Sequence, residues 1–203
     1  MAQPYISDKI LWFIKNESKK CKILDIATWQ WYLLEILWEN WFKNLYSADI
    51  DESNFKLDKE KYKFSKLDAN ETLPFTDNFF DIVVSSETIE HVENPRFFLK
   101  EIYRILKKGW IFILSTPNTE TIFSKIYFLL TWIFAGHTIA DYTLSGHITI
   151  LTSRLIERFT KDIGFKKEEL IFNCFYIPGL KIYLKNFLVN KLFGCISIYK
   201  FKK

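Results

Sequence analysis

The chain has 203 residues, 49% hydrophobic and 18% aromatic, a length and content that suit one domain with a full core and exclude a disordered chain. Its 28 basic and 24 acidic side chains leave a net charge of +4, too mild a balance to imply a nucleic-acid partner. Lysines after Lys185 alternate with apolar residues, as on an ordinary solvated face.

Residues 4–17 read as an amphipathic helix with Ile10, Leu11, Phe13 and Ile14 on one side. Lys22 to Ile26 is a short β run, and Tyr32 to Trp41 has helical spacing. Leu45 to Ile50 is a second strand and Tyr62 to Leu67 a third. Asp81 to Ser85 is an apolar run suited to a strand buried on both faces. A helix follows from Asn94-Pro95 to Leu106, with proline in its first turn. Lys107 to Gly109 reads as a turn, and Ile111 to Ser115 as the fifth strand, closed by Pro117-Asn118. The rhythm then changes: an apolar stretch over 122–135, a polar loop to His147, and a helix from Thr152 to Ile163 ended by Gly164. Leu170 to Ile177 and Cys195 to Phe201 suit an antiparallel edge.

Alternating strands and helices predict an α/β fold, Rossmann-like and doubly wound, with a mainly parallel sheet of about seven strands and an antiparallel C-terminal edge. One domain is expected: an N-terminal helix over 1–20, a ligand-binding core over 20–118, and a substrate-side lid with the C-terminal strands over 119–203. Ligands of such sheets bind beyond the carboxyl ends of the strands. Four of those ends carry polar residues: Asp25, Asp49, Asp68 and the Ser85-Ser86-Glu87 run. An acid after the second strand suits the two hydroxyls of a ribose, and one after the third suits an adenine amino group.

These blocks resemble the class I S-adenosylmethionine-dependent methyltransferases, in particular the small-molecule branch. "LDIATWQWY" resembles the family's first motif, an acid followed by a G-x-G-x-G loop, with Asp25 as the acid and Ala27, Trp29 and Trp31 at the glycine positions. "SADID" resembles the ribose segment, with Asp49 and the following Ile50, and "KLDANETLPF" the adenine-side segment, with Asp68 and Ala69. "FDIVVSSETIEHVENP" resembles the fourth strand and its loop, placing Ser85 and Glu87 at the cofactor. "EIYRILKKGWIFILSTPN" resembles the helix, turn and fifth strand, where the family writes two glycines. The resemblance covers roughly residues 20–118 and implies S-adenosylmethionine as cofactor. A nicotinamide-binding domain needs G-x-G-x-x-G after its strand, and that spacing is missing here.

Trp29, Trp31 and Trp110 all stand where the resembled family has glycine. Trp41 follows a helix at a natural glycine position; Trp38 and Trp132 are plausible glycine sites, and Trp12 is neutral. There are 6 glycines and 7 tryptophans, and together they come to the glycine share of an average chain, about 7%. Some bacterial genetic codes read UGA as glycine and others as tryptophan. A gene of the first kind translated by the second rule would print tryptophan for a subset of glycines. The expectation is therefore that most of these positions are glycine in the cell. If the tryptophans are real, the alternative is a non-catalytic Rossmann-like protein whose cofactor site is blocked by Trp29 and Trp31. An indole at either position is expected in contact with Asp49 or the Ser85–Glu87 loop.

The resemblance implies methyl transfer to an oxygen or nitrogen of a small molecule, a saccharide or a lipid-like acceptor. His91, after the fourth strand, and His147, before the C-terminal helix, are the candidate general bases. Glu87 and Glu90 read as solvent or adenosine contacts. The 122–135 stretch is core packing or a hydrophobic lid on the plainer reading, and a peripheral membrane contact on the sharper one. Three cysteines, Cys21, Cys174 and Cys195, lack the paired spacing of a disulfide framework or a zinc site, so no metal is expected and a reducing cytoplasm fits best. No nucleic-acid partner is expected, and nothing in the residues speaks to oligomeric state.

Overall fold

The computed structural model describes residues 5–28, 31–177, 182–184 and 189–203. A seven-stranded sheet runs in the order β3-β2-β1-β4-β5-β9-β6. Its strands are β1 (Lys22–Ile26), β2 (Asn44–Asp49), β3 (Phe64–Lys66), β4 (Phe80–Ser86), β5 (Leu106–Pro117), β6 (Lys166–Phe172) and β9 (Ile196–Lys202). The first five are parallel. Strand β9 lies antiparallel to both β5 and β6, and β6 closes that edge of the sheet. The fold is the expected doubly wound α/β sandwich.

Period-two alternation along the central strands feeds two cores. Leu24, Val83, Phe112 and Leu114 face helices α3 (Pro95–Ile105) and α5 (Ser153–Ile163). Ile23, Ile82, Val84, Ile111 and Ile113 face α1 (Ile6–Ile14) and α2 (Tyr32–Glu39). Each such fully buried aliphatic side chain contributes roughly 1.5–3 kcal/mol. The sheet is thus held from both sides, and its carboxyl edge is left to carry ligands.

Three local readings are corrected. Lys107 to Gly109 is a kink inside β5, not a turn before it. The register passes from Phe80↔Leu106 to Ile82↔Ile111, so the intervening residues bulge, and Gly109 takes φ +84. The segment stays in the sheet because Gly109 N–H donates to the Lys203 carbonyl at 2.7 Å and Lys203 N–H to the Trp110 carbonyl at 3.1 Å. The run expected over Leu170 to Ile177 is two strands, β6 and β7 (Phe175–Ile177), and β7 pairs with β8 (Ile182–Leu184) in a separate ribbon. Asn173 divides them: its side-chain oxygen accepts from Ile196 N–H at 2.9 Å. The third correction concerns 122–135. Helix α4 (Ile122–Thr131) buries only Ser124, and Leu129 and Leu130 are 76% and 78% exposed. It is a surface helix, not core.

Trp29 lies outside the described residues. Among the other six tryptophans, Trp41 and Trp132 adopt left-handed backbone, at φ +70 and +61. Trp38 and Trp110 are half-buried against the core. Trp38 meets Tyr62 edge-on at 6.0 Å.

Candidate functional site

A cleft of about 1360 Å³ opens at the carboxyl edge of the sheet. That exceeds the roughly 300–1,000 Å³ of a one-ligand pocket, so cofactor and acceptor both fit. Its cofactor half is built by the ends of β1, β2, β3 and β4. Asp25, Ala27, Asp49, Ile50, Asp68, Ala69 and Glu87 all line it. The structure also draws in Thr28, Tyr32 and Asn70, which sequence reasoning passed over, and Tyr5 and Asp8 from the start of α1.

Ser85 is placed differently from expectation. It is fully buried, pairs with Ile26 and Leu114 across the sheet, and its hydroxyl has no hydrogen-bond partner among the described residues. Ser86, one residue on, lines the cleft instead, as the alternating pleat requires. Trp31 opens α2 with φ −49 and is not among the lining residues, whereas Tyr32 is. The expectation that one of the two indoles enters the cleft thus turns on Trp29, which lies outside the described residues.

The loop after β1 has the geometry a cofactor loop needs. Ala27 sits at φ +58, a left-handed conformation that glycine adopts most easily. It is held there because Ala27 and Thr28 N–H both donate to the Ala48 carbonyl, at 2.8 and 3.2 Å. Burial, then the charge of Asp49, raises the Asp25 pKa to about 8. Burial also raises Asp49. One Asp49 oxygen accepts from Asp51 N–H at 3.0 Å, and the Ile50 N–H also favours the anion. Asp68 is braced in the same way: its Oδ1 accepts from Asn70 N–H at 2.8 Å and from the Asn70 amide at 3.0 Å. All three acids line the cleft. This donor set fits S-adenosylmethionine, a ligand rich in hydroxyl, amino and ammonium donors.

The other half of the cleft holds the histidines. His91 follows β4 on a short 3-10 turn (Ile89–His91), and His147 comes from the far side of α4. Their rings stand edge to face with centroids 4.9 Å apart. The loop is pinned there by main-chain bonds: Ile148 and Thr149 N–H both donate to the Glu90 carbonyl at 3.0 Å. Two glycines at φ +85 and +71, Gly136 and Gly146, aim their carbonyls at the rings. His147 Nδ1 lies 2.6 Å from the Gly136 oxygen, and His91 Nδ1 lies 3.0 Å from the Gly146 oxygen. A carbonyl only accepts, so each Nδ1 carries the proton and each Nε2 keeps its lone pair. Burial lowers the His91 pKa, which favours that neutral form. Glu90 is not a solvent contact as expected; it is 1% exposed. Burial raises both Glu87 and Glu90, and the nearby Glu90 charge raises Glu87 further.

Comparison with known proteins agrees with this geometry. A family model described as a methyltransferase domain matches residues 24–114. An S-adenosylmethionine-dependent methyltransferase from Archaeoglobus fulgidus superposes with a TM-score of 0.72 at 20% identity, covering 98% of this chain and 93% of that one. A demethylmenaquinone methyltransferase from Lactobacillus johnsonii is 38% identical over 105 residues, 46% of this chain and 43% of the relative. A mitochondrial ubiquinone biosynthesis O-methyltransferase from Candida albicans is 32% identical over 149 residues, 66% of this chain and 42% of the relative. The chain spans less than half the length of the curated relatives it matches. Strand order, the acids at the strand ends and the family match together give this chain the S-adenosylmethionine-binding, Rossmann-like fold of the class I methyltransferases.

Proposed function

We propose that the protein transfers the methyl group of S-adenosylmethionine to an oxygen or nitrogen of a small apolar acceptor, of lipid-like or saccharide-bearing kind. The observation that carries this reading is one continuous cleft joining the acidic strand ends to the histidine pair. In it, Asp49 takes the ribose hydroxyls, Asp68 and Ala69 the adenine edge, and Asp25 with the Ala27 loop the methionine end. Glu87 borders the place where the two ligands meet. When bound, the cofactor supplies an electrophilic methyl on a sulfonium. The protein's share is then alignment of the acceptor, which by itself lowers the barrier of a displacement.

The acceptor half is polar at one end and apolar along its wall. Phe123, Ile126, Tyr127 and Leu130 of α4 line it, so a hydrophobic tail lies along the helix while a polar head reaches His91 and His147. The names of the two quinone-pathway relatives agree with such an acceptor. On this reading residues 20–118 hold the cofactor and 119–203 the acceptor, with the N-terminal helix closing one rim. The exposed outer face of α4, with Leu129 and Trp132, suits a peripheral membrane contact through 122–135. Among the described residues no helix is long and apolar enough to cross a membrane.

The reading includes glycine at positions 29 and 31 of the cellular protein. The test is a thermal-shift titration with S-adenosylmethionine of the printed chain and of the chain carrying Trp29→Gly and Trp31→Gly. A ligand that binds only the native state raises the melting point by mass action. The glycine version is expected to shift and the printed version to shift less. No shift in either overturns the cofactor assignment, and equal shifts show that the two indoles do not obstruct it.

A further inference from the structure

The acceptor end of the cleft holds more than two bases. His91 and His147 each donate Nδ1–H to a backbone carbonyl, which fixes the tautomer and puts the ring's lone pair on Nε2. This is the outer-shell arrangement that orients metal-ligating histidines. Beside them, Glu90 Oε2 accepts from Thr116 Oγ1 at 3.0 Å, while Glu90 Oε1 is buried with no hydrogen-bond partner among the described residues. A buried oxygen left bare is costly unless something else satisfies it. Among the described residues no lysine or arginine pairs with Glu90 or with Glu87. One ligand atom from each of Glu90, His91 and His147 falls within 4.8 Å of the others.

We propose that Glu90, His91 and His147 bind one divalent transition-metal ion, of the zinc or manganese class, whose remaining coordination positions open to the cleft. Two imidazoles and one carboxylate with open positions form a catalytic rather than a closed structural donor set. Ligand atoms about 2.0–2.2 Å from such an ion lie roughly 3.3–3.6 Å apart, so the cluster need tighten by no more than about 1–1.5 Å. Two half-exposed imidazoles allow this by small side-chain rotations. No cysteine takes part, which is why cysteine spacing did not disclose the site. The role of the ion rests on the methyl-transfer reading: it binds an acceptor hydroxyl and lowers its pKa. The O–H bond breaks, the electron pair stays on the ion-bound oxygen, and the proton passes to water at the cleft mouth. The acceptor atom is then oxygen.

The experiment is calorimetric titration of the metal-free chain with Mn²⁺ and, separately, Zn²⁺, without cofactor or acceptor. One ion per chain is expected. The pair His91→Gln with His147→Gln is expected to lower affinity at least 100-fold, and Glu90→Gln alone at least 10-fold. Circular dichroism checks that the variants fold, and His147→Gln alone, on a surface loop, serves as the mild variant should the pair fail to fold. Melting points with and without Mn²⁺ give a second readout, with a rise in the parent that His147→Gln diminishes. Ion binding unchanged by these substitutions would be adventitious and would overturn the proposal, as would no binding of either ion. Because the ion is read alone, metal binding without cofactor binding would sink the methyl-transfer reading and leave the metal site standing.

Discussion

Replacing Trp41 and Trp132 together by glycine is expected to raise the stability of the printed protein. Both follow helices. Trp41 N–H donates to the Trp38 carbonyl at 3.1 Å just past α2, and Trp132 N–H donates to the Phe128 carbonyl at 2.7 Å at the end of α4. Both close the helix with left-handed backbone, at φ +70 and +61, as Gly164 closes α5 at φ +116. A residue with a Cβ pays roughly 1–2 kcal/mol in that region. Glycine avoids the strain but gives back about 0.4–1 kcal/mol through its looser unfolded chain. Little packing is forfeited, because the indoles are 72% and 80% exposed. Trp132 keeps only an edge contact with Phe128 at 5.7 Å, and Trp41 a distant Lys43 ammonium at 5.5 Å. The net gain is about 0.5–1 kcal/mol per site. The sites are on separate helices, so the pair should add to about 1–2 kcal/mol, or roughly 2–8 °C in a chain of this size. Trp38→Gly is the control. It puts glycine inside α2, at a cost of up to about 1 kcal/mol, and removes a ring that Tyr62, Lys43 and Lys61 all contact. Its melting point should fall. Differential scanning calorimetry decides, and a double variant no more stable than the parent would refute the argument that these two positions have glycine's backbone.

Further outcomes follow from the cleft. In the form with glycine at 29 and 31, Asp49→Ala should weaken S-adenosylmethionine binding by about 1.5–3 kcal/mol, the range for hydrogen bonds to a charged group; unchanged affinity by calorimetry removes Asp49 from the ribose role. Asp25 has its pKa raised from 3.8 to about 8. Its folded form therefore holds the proton more tightly than the unfolded one, so the associated stability is complete below about pH 4 and lost as pH rises toward 8. Asp25→Asn should flatten the fall in urea midpoint over that window, and an unaltered slope would show that Asp25 is ionised in the fold. Leu129→Lys with Leu130→Lys should reduce sedimentation with zwitterionic vesicles while leaving cofactor affinity alone; equal sedimentation would remove α4 from any membrane contact.

The strands were legible because burial on both faces demands apolar runs, and "KILDI" and "DIVVS" admit few other readings. The acids at the strand ends were legible for a related reason. A parallel sheet brings every carboxyl end to one edge, so Asp25, Asp49 and Asp68 needed no contact information to be grouped. Ser85 shows the resolution limit of that reasoning. The end of a strand is legible to within a residue, but one residue exchanges the core face for the cleft face. Helix α4 misled for another reason. An apolar stretch looks the same whether it covers a core or offers itself to a ligand, and only the neighbouring layers decide which.

The metal-type cluster lay beyond sequence reasoning because its halves are joined by a loop. Glu90 and His91 are adjacent in the chain, and the run from Glu87 to His91 carries two acids and a histidine close enough to raise the question. Nothing in the spacing to His147 says that the chain returns there. The return depends on Ile148 and Thr149 finding the Glu90 carbonyl and on two glycines turning their carbonyls toward the rings. These are backbone bonds, to which side-chain identity contributes little beyond the glycines themselves. That arrangement also explains why the two histidines resemble ligands more than free bases. A base acting alone needs one oriented imidazole, whereas here two are oriented alike, beside a buried carboxylate oxygen that has no partner among the described residues. A cation satisfies all three groups at once, and a proton satisfies only one.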